Sequence, residues 1–560
     1  MVETGGKVSK AAEAVFRTLA YAPGRGWLLW IYQWIPGFRP LSEWFYRLVA
    51  HNRITFSHAT RFLWGEHLEP STFRISTWIF LRLLGVIYFI AFASFGSQAL
   101  GLVGSNGILP AKTFLAAVSQ RFGPERYWLV PTLGWLNSSD VFIQFLWIAG
   151  LLFSLFVILG FLEAPALFLS WLFYLSVVTL GQDFMEFQWD ILLLEVGFLA
   201  VFLASLEMFP RSCRRSPPSR TILWLFRWLL FRLMFRSGFL KLASGDPVWH
   251  HLTALNFHYE TQPLPTWIGW YAHQLPHGFQ KLSVWVMFGI ELFIPFLIFA
   301  SRRFRHFAST VLMAFQVLIL LTGNYCFFNL LTIALCILLW DDAAWPLSWQ
   351  NRLIPSKAKI TESRLVSWPK WVIAPVTALI VLVSLPQMAR VSRISIPWPA
   401  PVILLQDWLA PFRSVNSYGL FAVMTTERRE IIVEGSNDGQ TWYEYQFKWK
   451  PGDLDERPRF VAPHQPRLDW QMWFAALSSW RYNPWFMNFM ERLLQGSPEV
   501  LSLLAHNPFP DHPPRYLRAV VYDYHFTDFA MRRVEGRWWR RQFLGPYAPV
   551  LSRTSFSSRS

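Results

Sequence analysis

The stretch SGFLKLASGDPVWHHLTALNFHYETQPLP, residues 237–265, leaves a strongly apolar run and fills at once with Lys, Asp, His, Tyr and Glu. A soluble domain has little reason to end a hydrophobic segment on so many ionisable groups. A helix leaving a bilayer does, because it turns polar where it meets water. The rest of the composition agrees. Of 560 residues, 53% are hydrophobic, with 32 Trp and 51 Phe, and 15% are charged, against about 25% in an ordinary soluble domain. A soluble protein this apolar would expose large sticky patches.

The formal charge of +16 fits basic loops on the cytoplasmic face of a membrane protein. No Lys/Arg-aromatic repeat of a nucleic-acid platform occurs, so no nucleic-acid partner is expected. The three cysteines, Cys213, Cys326 and Cys336, offer neither a CxxC pair nor a disulfide framework. The first 26 residues lack the apolar core of a secretory signal.

Runs near the roughly 20 apolar residues that cross a bilayer fall at 77–100, 140–160, 165–181, 190–209, 221–243, 283–300, 307–322, 326–340 and 371–387. The expected fold is a polytopic α-helical membrane protein of about nine spans with a C-terminal α+β extramembrane domain. Lys and Arg in short loops orient the spans. The basic loops 211–220, 301–306 and 351–370 fall on one side when the spans alternate, and that side is assigned to the cytoplasm. Residues 1–76 then form a cytoplasmic amphipathic segment and 77–390 the transmembrane helical domain. Residues 391–529 form the extracytoplasmic α+β domain, and 530–560 a basic, Ser-rich tail expected to be mobile or to lie on the surface. In the α+β domain, 429–447 reads as two strands joined around Asn437, Asp438 and Gly439, and 516–527 as another strand. Gly496 marks a helix stop.

A charge inside a span costs about 2.5–3.5 kcal/mol, so such charges pair or line a cavity. Asp190, Glu195, Arg232, Arg236, Lys241 and Glu291 make a candidate intramembrane polar network. At about 1.5 Å of rise per residue, Asp190 lies level with Lys241 and Glu195 with Arg236. Two pairs between neighbouring antiparallel helices are therefore expected. These charges fix helix register, line a cavity in which Lys241 serves as a base, or, for Arg227 and Lys241 above all, snorkel to the headgroups. Beyond them lies an outer-loop cluster of Asp246, His250, His258, Tyr259 and Glu260. His273 and His277 add an i,i+4 pair, but there is no HExxH and no carboxylate at ligand spacing, so neither a metal nor a cofactor is expected. GxSxG, GxxxxGK[ST] and GxGxxG signatures are absent, which argues against an α/β-hydrolase and a P-loop motor. Trp442, Tyr443, Trp470 and Trp473 are candidate client-binding anchors if exposed, and domain core if not.

Several strings resemble the lipase maturation factor family: FQWDILLLEVGFLA (187–200), residues 232–276, GNYCFFNLLTI (323–333), VNSYGLFAVM (415–424), RLDWQMWFAAL (467–477) and NPFPDHPPRYLRA (507–519). Animal members of that family are multi-span proteins of the endoplasmic reticulum needed for secreted lipases to fold and assemble. The resemblance implies a folding or assembly factor with a secreted, lipase-like client, membrane lipids as partners, and a client-facing side in the lumen or periplasm. GFLKL (238–242) is also similar to a helix end of the vitamin K-dependent γ-carboxylase. That likeness implies an alternative, a membrane enzyme modifying a lipid or protein side chain with Lys241 as catalytic base. Ten Lys among 51 basic residues suggest a GC-rich genome and a bacterial inner membrane.

Overall fold

Apolar runs become the helices of the chain in the computed structural model, which describes residues 8–22, 24–65, 71–208, 218–353, 368–391 and 397–555. Backbone packing divides it into two units, Met1–Pro70 with Ala300–Phe304, and Ser71–Phe299 with Arg305–Ser560. Among the described residues the first unit holds four helices, α1 (Ala11–Ala20), α2 (Gly26–Trp34), α3 (Phe38–His51) and α4 (Arg53–Trp64). Its small core forms where Phe16 stacks on Tyr32 at 4.9 Å and meets Phe38 edge-on at 5.8 Å. The Tyr32 hydroxyl donates to Glu43 Oε1 at 2.8 Å.

Among the described residues the second unit contains a bundle of nine principal helices: α5 (Arg74–Gly96), α6 (Asp140–Leu159), α7 (Glu163–Leu180), α8 (Gln188–Leu203), α9 (Arg220–Ala243), α10 (His277–Leu292), α11 (Arg302–Thr322), α12 (Phe328–Ile337) and α13 (Lys370–Val391). The first turn of α11 belongs to the other unit. Among the described residues six segments are long and apolar enough to cross a membrane: 74–96, 140–159, 163–180, 277–299, 302–322 and 370–390. The expected nine is thus reduced to six on that criterion. Helix α8 has 16 residues, α12 has 10, and α9, with 24, carries Arg227, Arg232, Arg236 and Lys241. The physical reason is burial. Both α8 and α12 are packed inside protein along most of their length, so neither has to match the bilayer with a lipid-facing apolar surface.

Close approach of α5 and α6 depends on Gly150, where a Cβ would overlap the Phe92 ring. At one end of the bundle Asp342 accepts from the backbone N–H groups of Arg74 and Ile75, at 3.1 and 2.9 Å, capping α5. Asp341 takes Ser71 Oγ at 2.7 Å and Arg305 Nη2 at 3.1 Å. Arg82 pairs with Glu163 at 2.6 Å. Of the basic loops used for orientation, 211–217 and 354–367 lie outside the described residues.

The C-terminal domain is built on a four-stranded antiparallel sheet of order β2-β1-β5-β6, from β1 (Arg429–Ser436), β2 (Tyr443–Glu444), β5 (Tyr516–Phe526) and β6 (Trp539–Ser552). A second pair joins β3 (Gln446–Phe447) to β4 (Leu504–His506). Helices α14 (Arg467–Ala476) and α15 (Pro484–Gln495) complete it, and α15 stops at Gly496 in the left-handed region, φ 70°. The basic tail, expected to be mobile or to lie on the surface, is structured as far as 555 and forms an edge strand. Strand β6 pairs with β5 from Trp539↔Phe526 to Ser552↔Tyr516 and buries Trp539, Ala548 and Leu551. Its prolines, Pro546 and Pro549, concealed it as a strand. A strand at the edge of a sheet tolerates them because one side needs no donors.

Candidate functional site

The chemically richest groups meet along a seam where the loops at one end of the bundle pack against the C-terminal domain. Asp190, in the first turn of α8, is fully buried, and so is its partner Arg467, the first residue of α14. The guanidinium donates Nη1 to Oδ2 at 2.7 Å and Nη2 to Oδ1 at 2.9 Å, a bidentate fork. Tyr174 donates to the same carboxylate at 2.5 Å, and Nη1 also reaches the Phe184 carbonyl at 2.9 Å.

One turn deeper, Glu195 pairs with Arg232 and accepts from Asn416 N at 2.7 Å and Tyr418 Oη at 2.7 Å. Arg232 returns Nη1 to the Asn416 carbonyl at 3.0 Å. The segment after the last bundle helix is thus stitched to two buried charges.

Lys241 Nζ contacts both oxygens of Glu291, at 2.8 and 2.6 Å, and lies 5.4 Å from the Trp249 ring centre. Trp249 Nε1 donates to Phe421 O at 3.0 Å, and Asp246 accepts from Met424 N at 2.7 Å. Further out, buried Arg428 donates to the carbonyls of Glu260, Gln262 and Pro263 and to Glu430. Asn324 donates to Leu264 O and Arg459 O and accepts from Val461 N and Ala462 N.

Outside the spans, the electrostatics follow the packing. Burial would raise the carboxyl of Glu260, but His525, His273 and the Phe526 N–H outweigh it and hold it below its ordinary value. The bond to Glu260 raises His525 in turn. Burial, with the Lys241 charge nearby, pushes His258 down to about 4. His464, beside Ser94 Oγ at 2.9 Å, is also pushed down to about 4 by burial and by Arg467.

Many of these seam residues lie in strings that also carry the chain's likeness to known proteins. Residues 75–347 match the model of the lipase maturation factor transmembrane domain, and 414–549 that of the lipase maturation factor C-terminal domain. Lipase maturation factor 2 of Gallus gallus is 38% identical over 579 aligned residues, covering 85% of this chain and 81% of that protein. The human lipase maturation factor 2 is 36% identical, covering 86% and 83%, and lipase maturation factor 1 of Bos taurus is 36% identical, covering 87% and 90%. The chain belongs to the lipase maturation factor family. No solved structure matches it.

In this family member the ion pairs differ from those expected. Asp190 meets Arg467 instead of Lys241, because the C-terminal domain delivers a cation that no count along bundle helices includes. Glu195 meets Arg232, one turn away from Arg236, so level-matching erred by about 6 Å. Arg236 donates to Gln387 O at 3.1 Å. Glu291, on α10, is the partner of Lys241. That bidentate engagement commits Lys241 to an ion pair, and the catalytic-base alternative has no observation in its favour.

Of the outer-loop cluster, Asp246, His258, Tyr259 and Glu260 join the seam, whereas His250 is exposed. His273 faces Glu260 at 3.8 Å and His277 meets Asn256 at 3.1 Å. Trp470 and Trp473 are not surface anchors. Trp470 packs edge-on against Trp189 at 4.8 Å, and Trp473 Nε1 donates to Thr261 O at 2.8 Å, both buried. Trp442 is half-buried over Arg518, and Tyr443 is exposed. Sequence reasoning passed over Arg467, Arg428, Asn324, Asn416 and Tyr418. The available signal was that four of the five open or sit within the family-like strings.

Proposed function

We propose that this chain is a membrane-embedded maturation factor that helps secreted lipases fold or assemble, acting from the extracytoplasmic side through its C-terminal domain and the loops sealed to it. The observation that carries the reading is coverage: relatives named lipase maturation factor 1 and 2 align over both the bundle and the C-terminal domain. Asp190, Glu195 and Arg232 on one side of the seam, and Asn416, Tyr418 and Arg467 on the other, lie within residues 75–347 and 414–549, the stretches that the two family models match. The basic loops support a cytoplasmic N-terminus and an outer C-terminal domain. On a bacterial inner membrane that side is the periplasm; in a eukaryotic cell it is the lumen of the endoplasmic reticulum. Exposed Tyr443, with half-buried Trp442, offers the client an aromatic contact, and lipids surround the bundle.

The test is co-expression with a secreted lipase in cells lacking their own factor. The chain should raise the specific activity of the secreted enzyme at equal enzyme mass. Unchanged specific activity across a panel of lipases would overturn the proposal.

A further inference from the structure

Helix α3 carries Leu41, Trp44, Phe45 and Leu48 at i, i+3, i+4 and i+7, all exposed. That spacing gathers them on one face, opposite Arg39, Glu43 and Arg47. Helix α2 repeats the pattern. Trp27, Trp30 and Trp34 are 58%, 58% and 70% exposed, while Tyr32 turns the other way into the core with Phe16. Two neighbouring helices thus present apolar faces that the other described residues leave uncovered.

A second observation sets their depth. The unit that contains these helices also contains Ala300–Phe304, and α11, one of the six helices able to cross a membrane, begins at Arg302. Phe62 of α4 lies edge-on to Phe304 at 6.1 Å, and Arg303 Nε lies 3.6 Å from the position of a Cβ on Gly65. Helix α4 therefore packs on the first turn of a helix long and apolar enough to cross a membrane, the part of such a helix that meets the headgroups. Exposed Arg25, Arg39 and Arg47 lie on or next to α2 and α3, and exposed Arg53 and Arg61 lie on α4. Tryptophan-rich faces flanked by arginine, fixed at headgroup depth, match a bilayer interface better than a water-filled one.

We propose that α2 and α3 lie in the membrane surface of the leaflet where α11 begins, with their apolar faces at the acyl boundary and the arginines on anionic headgroups. The inference is independent of the client.

The test uses the full chain carrying Cys213→Ser, in nanodiscs of phosphatidylcholine with phosphatidylglycerol. Nitroxide labels are placed singly on Trp44→Cys, Leu48→Cys and Arg47→Cys, all exposed positions that leave the core intact. Power saturation should give oxygen collisions exceeding nickel-chelate collisions at 44 and 48, with the order reversed at 47. Nickel excess at all three would put the face in water. Protection of 44 and 48 from both reagents would put it against protein. Either result overturns the proposal. Omitting phosphatidylglycerol should make 44 and 48 shallower; unchanged depth would overturn the role given to the arginines.

Discussion

Lys241 illustrates what a single residue reveals in sequence and what it conceals. Its place at the end of a charged apolar run marked it as needing a partner, since a lone buried ammonium is costly. Which partner was hidden, because Glu291 lies 50 residues on and reaches it only through the packing of α10 beside α9. Lys241→Ala leaves Glu291 buried and uncompensated and should destabilise the protein by about 3–5 kcal/mol. Lys241→Arg keeps the charge and should retain lipase maturation, read as secreted lipase activity at matched membrane levels. Loss of maturation by a well-expressed Lys241→Arg would reinstate a chemical role. His258 and His464 make a pH prediction. Both sit at about 4 in the folded protein against about 6.5 unfolded, so the unfolded chain binds more protons between those values. Stability therefore falls as pH drops from 6.5 towards 4, by about 1–2 kcal/mol for each at pH 5. The raised His525 acts in the opposite sense, contributing stability at low pH that is lost as pH rises through its folded value. Thermal unfolding in detergent at pH 7.5 and 5 should show the net loss, and His464→Asn should flatten the slope. A slope unchanged by that substitution would contradict the assignment.

Among the elements, the long apolar helices were legible because twenty apolar residues have few other uses. Helices α8 and α12 were read as spans for the same reason, although protein, not lipid, surrounds most of each. The hairpin around Asn437 to Gly439 was legible from its turn chemistry, and Asp438 accepts from Gln440 N and Thr441 N at 2.8 Å each. Strand β6 was not legible, because arginine and proline dominate the signal that composition reads. Its role is nonetheless structural. It supplies Trp539 to a cluster with Trp270, Tyr524, Phe526 and Trp538, and Tyr547 donates to Ala475 O at 2.8 Å. Truncation after Gly536 should therefore unfold the sheet, read as loss of protease resistance of residues 414–536. A truncated chain as resistant as the full one would restore the reading of residues 530–560 as a mobile or surface-lying tail.

At the scale of the molecule, the sequence divided into a membrane half and an outer half, and the family-like strings fell in both. What it did not reveal is that those strings meet. FQWDILLLEVG supplies Asp190 and Glu195, RLDWQ supplies Arg467, and VNSYG supplies Asn416 and Tyr418. Buried charges on α8 and α9 are satisfied by residues after the last bundle helix, so the two halves stabilise each other. Deleting 391–560 would strip partners from Asp190 and Glu195 and disturb the bundle as well as any client surface, which makes point substitutions the more informative probes. The side of the membrane on which this joined body stands decides whether it can meet an exported lipase. The most direct measurement is labelling of Tyr443→Cys, in a Cys213→Ser background, by a membrane-impermeant maleimide on sealed membranes of known orientation. Labelling from the extracytoplasmic face without permeabilisation is the expected result. Labelling only from the cytosolic face would contradict it.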